Sequence, residues 1–133
     1  MKYMLLMQFS AQNAGFPQIT EWTPEEIEAH IAFMRDTNQK LSEAGELVAA
    51  EGLAGPDQAR IVRAGRDGAA LVTEGPYPET KEFLAGYWIV DCDSAERAVE
   101  LAAHVSTAPG PGGAPLNMAI EVRQVMAAPT EEM

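Results

Sequence analysis

Apolar side chains alternate along residues 2–9, KYMLLMQF, with Tyr3, Leu5, Met7 and Phe9 on one side and Met4 and Leu6 on the other. A period of two predicts a strand, and here both of its faces are apolar. Residues 10–22 contain Asn13, Gly15 and Pro17 and read as a loop. Ile27, Ile31, Met34 and Leu41 then recur at helical spacing. Thr23-Pro24-Glu25-Glu26 marks the start of that helix: Thr23 caps, Pro24 suits the first turn, and Glu26 completes a capping box. Gly45 ends it in a left-handed conformation. Further strands are expected over 47–53, 60–63, 69–73, 83–91 and 118–126, with Asp67-Gly68 turning a hairpin between the third and fourth. Asp93 or Ser94 caps a second helix over 95–105. Residues 108–115, APGPGGAP, form a Gly/Pro loop, and 127–133 a frayed tail.

The order is strand, helix, strand, hairpin, strand, helix, strand. This is an α+β chain with the ferredoxin-like βαββαβ arrangement and an inserted β-hairpin. One domain over 1–126 and a tail over 127–133 are expected. Two helices should cover one face of an antiparallel sheet and leave the other bare. Leu5 and Met7 can face one side and Met4 and Leu6 the other, and 87–90 and 118–126 likewise place apolar side chains on both sides, so a bare sheet face of this composition would be a large apolar patch, which monomers seldom expose. A second copy packing sheet to sheet is the simplest cover, so a homodimer is expected.

Composition narrows the partners. The 133 residues are 47% hydrophobic, ordinary for one globular domain. Twenty acidic residues stand against nine basic ones, a net charge of −11, which argues against nucleic acid and anionic membranes as partners. No apolar run is long enough to span a membrane, and residues 1–9 read as a strand rather than a signal peptide. The lone cysteine, Cys92, precludes an intrachain disulfide and fits a cytoplasmic protein. Two isolated histidines and one cysteine point to no metal site within one chain, and no sequence feature calls for a cofactor.

The densest candidate chemistry lies in residues 73–86, TEGPYPETKEFLAG. Gly75-Pro76 enforces a turn, and Glu74, Glu79, Lys81 and Glu82 crowd around it. Carboxylates close to a lysine can tune one another as acids and bases. The competing interpretation is a solvated turn with weak surface ion pairs. His30, between Ile27 and Met34, is either a general base or a hydrogen-bonded histidine at the core's edge. His104, in the last turn of the second helix, suits the helix dipole. Glu121 and Arg123 share a strand face, either lining a polar pocket or pairing at its rim. The glycines of 110–113 lack phosphate-loop spacing, and neither a nucleophile elbow nor a zinc-protease helix occurs.

The segment VTEGPYPETKEFLAGYWIVD, residues 72–91, resembles the signature of the YCII-related family of the DGPF type, which runs V-T-D-G-P-F-x-E-T-K-E, then two small residues and an aromatic strand. MKYMLLM at the start, Gly45-Glu46-Leu47-Val48 with Gly52-Leu53, and Glu121-Val122-Arg123 also resemble family positions. Gly75, Pro76, Glu79, Thr80, Lys81, Glu82 and Gly86 match the motif. Glu74, Tyr77 and Ala85 depart from its usual Asp, Phe and Gly. The resemblance implies a ferredoxin-like subunit forming a dimeric α/β barrel, without a settled activity. Related barrels include enzymes acting on small, often ring-shaped molecules.

Together these readings set the expected site. His30, Glu74 and Lys81 are the candidate catalytic residues. Tyr77, Glu82, Trp88 and Arg123 are the candidate substrate-binding residues. The function expected is acid/base chemistry on, or binding of, a small organic compound, anionic or ring-shaped. The alternative is a non-catalytic homodimeric structural or regulatory module.

Overall fold

The computed structural model describes residues 1–9, 19–74 and 82–126, with only the backbone of Thr20 and Glu74. Six strands and two α-helices follow one another as β1 (Lys2–Phe9), α1 (Pro24–Glu43), β2 (Leu47–Gly52), β3 (Arg60–Ala64), β4 (Ala70–Glu74), β5 (Phe83–Asp91), α2 (Ala95–Ser106) and β6 (Ile120–Gln124). The main sheet is antiparallel in the order β2-β5-β1-β6, while β3 and β4 form a separate hairpin. The fold is α+β, and its order is compatible with the ferredoxin-like arrangement. The last strand is shorter than periodicity suggested, because 118 and 119 precede it and 125 and 126 follow it.

The start of α1 follows the sequence closely. Thr23 Oγ1 accepts from the Glu26 N–H, and Glu26 Oε1 accepts from the Thr23 N–H. The helix ends at a left-handed Gly45, and the Glu46 N–H returns to the Leu41 carbonyl. Of the two candidate caps for α2, it is the Ser94 hydroxyl that accepts from the Arg97 N–H.

Tyr3, Leu5 and Met7 of β1 join Trp88 and Val90 of β5 in one core. Leu41 of α1 and Ala98, Leu101, Ala102 and Val105 of α2 close it from above, so both helices lie on the same sheet face. Ile120 and Val122 of β6 add to its edge. Alternation sends Met4, Leu6, Tyr87 and Ile89 to the opposite face, where they are only partly buried among the described residues.

Two ties draw on residues far apart in the chain. Arg97 at the start of α2 grips Glu46 through Nε and Nη2 at 3.0 and 2.9 Å. Its guanidinium holds the Glu46 carboxyl below the usual carboxylate range. Glu26 Oε2 accepts from the Gly112 N–H at 2.6 Å, and that bond, with the Thr23 N–H, also lowers its pKa. Both carboxyls bind protons less readily in the folded chain than in the unfolded one. Their stabilisation is therefore complete above the ordinary value of 4.5 and fades as pH falls through the lowered folded values. The unfolding temperature should drop between about pH 5 and 3. Glu46→Gln should lower it at pH 7 by the equivalent of about 1 kcal/mol and flatten its acid limb. Thermal scans of both proteins across that range check this. An unchanged acid limb in the variant would remove Glu46 from the account.

Candidate functional site

The strand register gathers several elements at one end of the molecule. Phe9 at the end of β1 pairs with Phe83 at the start of β5, Gly52 at the end of β2 pairs with Gly86, and Met7 pairs with Ile120 at the start of β6. The N-terminus of α1 is tied to the same end, because Glu26 holds Gly112 in the connection between α2 and β6. Phe9 and Phe83 meet edge to face at 5.4 Å. Glu82, the first described residue after 75–81, lies at this end.

A cleft of about 360 Å3 opens at this end, lined by Gln8, Leu53, Ala54, Pro56, Ala59, Glu82, Phe83 and Leu84. Gln8 and Leu84 are register partners, and Gln8 follows Met7 on the sheet side away from the helices. The cleft thus belongs to the open face. Its walls are mostly apolar, with the Gln8 amide and the Glu82 carboxylate as polar groups. Its volume falls within the range of small-molecule pockets.

Of the expected site residues, Glu82 lies in this cleft and is exposed. Tyr77 and Lys81 lie outside the described residues, as does the side chain of Glu74, whose backbone ends β4 opposite Arg60. His30 is elsewhere, on α1 beside the connection after α2. Its Nδ1 lies 3.0 Å from the Pro109 carbonyl oxygen, and Trp22 packs edge to face on its ring. A carbonyl only accepts, so Nδ1 carries the proton and Nε2 is the basic nitrogen of the neutral ring. This is the hydrogen-bonded, half-buried setting weighed above as the alternative to catalysis.

Trp88 lies in the core, 5% exposed, with its indole N–H donating to Asn38 Oδ1 at 2.8 Å. Its aromatic surface packs beneath the helices and does not line the cleft. Arg123 sits on the open face beside Glu121, Nε to Oε2 at 3.7 Å, with 72% of its side chain exposed. That distance is a loose ion pair at a rim. The sheet separates Arg123 from His30. Glu82, His30, Trp88 and Arg123 therefore do not converge on one pocket. His104 hydrogen-bonds Thr37 at 3.2 Å and stacks on Phe33. No cluster of metal-ligating side chains occurs among the described residues, and no described helix is long and apolar enough to cross a membrane.

The family model of the YCII-related domain matches residues 1–113. The chain belongs to the YCII-related family. The match spans β1 to the turn after α2 and stops before β6, so Glu121 and Arg123 lie beyond it. An uncharacterized protein of Rhizobium meliloti (strain 1021) is 33% identical over 87 residues, which cover 65% of this chain and 69% of that protein. The family is thereby shown, and neither comparison assigns an activity.

In this YCII-related chain, part of the signature has a structural explanation. A Cβ on Gly86 would stand 2.9 Å from the backbone oxygen of Glu51 on β2, so only glycine lets β2 and β5 approach this closely. Glu46 is the carboxylate that receives Arg97. Sequence reasoning missed Gln8 as a cleft residue. The available signal was a polar side chain interrupting an otherwise apolar strand. It also missed Asn38, although a buried indole N–H calls for an acceptor.

Proposed function

We propose that this YCII-related protein binds a small organic compound in the cleft at the loop end of the open face, and acts on it by acid/base chemistry. One observation carries the reading: Glu82, a residue of the signature, is a wall of the cleft. Leu53, Pro56, Phe83 and Leu84 would take the apolar, ring-shaped body of the ligand. Gln8 and Glu82 would take its hydrogen-bonding groups. Glu74 and Lys81, just outside the two ends of the segment 75–80, are assigned proton transfer and the holding of an anionic group, with Tyr77 as a further wall. His30 and Trp88 serve this site as scaffold, and Arg123 lies across the open face.

A thermal-shift screen against small carboxylic acids and aromatics tests the proposal. A hit should lose at least tenfold in affinity in each of Glu82→Gln and Lys81→Ala, while the ligand-free melting temperatures stay within about 2 °C of the parent. Retained affinity in both variants would remove the site from the cleft.

A second reading is favoured by a different observation. Met4, Leu6, Tyr87 and Ile89 form an apolar band on a face that no described element covers. We propose that a second copy covers it sheet to sheet, giving the dimeric α/β barrel and enclosing the cleft at its mouth. If no compound binds at millimolar concentration, a non-catalytic homodimeric module is the better description.

A further inference from the structure

The β3–β4 hairpin is built unlike the rest of the fold. Neither strand packs more than marginally on any other described element. Every described side chain of the two strands is exposed, including Ile61, Val62, Leu71 and Val72, at 39–59%. The register pairs Val62 with Val72 and Ala64 with Ala70, so one face of the hairpin is apolar along its outer length. A lone two-stranded hairpin is marginal in water, and an apolar one invites a partner. Charge narrows the partner. Arg60, Arg63 and Arg66 put three of the nine basic residues of an acidic chain on this one projection. Arg63 and Arg66 form no ion pair among the described residues. Two such hairpins repel each other, whereas a hairpin and the remaining acidic surface of another copy attract.

We infer that the hairpin is an exchanged arm: each copy lays its Val62, Ala64, Ala70, Val72 face on the body of a second copy, with Arg66 in the turn at its tip toward that body's carboxylates and Arg63, paired with Leu71, on the outer face. Interface size supports this. A stable interface takes about 20–30 residues a side, and among the described residues the open face offers Met4, Leu6, Val48, Glu51, Tyr87, Ile89 and a few neighbours. The two five-residue strands and their turn supply the rest. The inference rests on the self-association proposed above.

Light scattering during size exclusion and dilution, with circular dichroism as a fold control, tests both together. The parent chain should be a dimer of 14.3 kDa subunits. Val62→Asp with Val72→Asp should weaken dimerisation at least 100-fold without changing the circular dichroism. Arg66→Glu, on the exposed turn and leaving the fold intact, should weaken it at least tenfold. A monomeric parent overturns the arm and the dimer alike. A dimeric parent with unchanged dissociation constants in the arginine variant overturns the arm and leaves the sheet-to-sheet dimer standing. Mixing the parent with the arginine variant separates the remaining geometry. Mixed dimers weaker than the parent's are expected, and mixed dimers tighter than the parent's would overturn the inference by showing that arms meet arms.

Discussion

Trp88→Ala should cost about 3–5 kcal/mol, because it removes one of the largest side chains of the core and leaves a cavity between sheet and helices. At this chain length the loss lowers the melting temperature by roughly 10–20 °C. Trp88 is 5% exposed and packs with Leu5, Val90 and the helix residues above them. The substitution also strands Asn38 Oδ1, whose partner is the indole N–H. Trp88→Phe separates the two contributions. It keeps most of the packing and loses the hydrogen bond, for about 1–2 kcal/mol. Chemical denaturation of all three proteins gives the values. A wall of a ligand pocket behaves differently: its removal would abolish binding and leave stability within about 1 kcal/mol. That result would return Trp88 to the site and contradict its place in the core.

Gly86→Ala should cost about 1–3 kcal/mol by overpacking, and Gly86→Val more. The atom a new Cβ meets is the backbone oxygen of Glu51 at 2.9 Å, with the Gly52 Cα at 3.4 Å. A backbone oxygen cannot rotate away, so β2 must move off β5 and strain the ladder between them. Gly52 is the natural control. It is the register partner of Gly86, yet a Cβ there meets nothing within 4 Å. Gly52→Ala should therefore be neutral to slightly stabilising, since it restricts the unfolded chain. Urea midpoints for the two alanine variants test the pair. Equal midpoints would mean that the glycine of the signature is not there for strand approach.

Both results bear on how a family signature should be used. Within residues 73–86, Gly86 has a packing duty and Glu82 faces a cleft. The motif is thus neither wholly a site nor wholly a brace. His30 shows the opposite hazard. A histidine on the sheet-facing stripe of an amphipathic helix is a fair candidate base, but its Nδ1 is committed to the Pro109 carbonyl 79 positions along the chain. No local pattern announces that partner.

Wherever short-range chemistry governs, the one-dimensional chain was enough. Alternation placed Tyr3, Leu5 and Met7 on one face and Met4 and Leu6 on the other, and the Thr23–Glu26 capping box and Gly45 bounded α1, because each depends on residues a few positions apart. The element order and the YCII-related family followed from the same local signals. Long-range encounters were decided by the assembled fold. Glu26 was legible as a cap, while its second bond to Gly112 exists only because the connection after α2 returns to the start of α1. Trp88 looked like a wall for a ligand and became core, because strand parity, which sets the face, does not say which face the helices will take. The candidate site likewise shifted from a list of ionisable residues to a cleft with Gln8 and Glu82. Which polar groups share a pocket depends on register and crossovers, and those are settled by packing the whole chain at once.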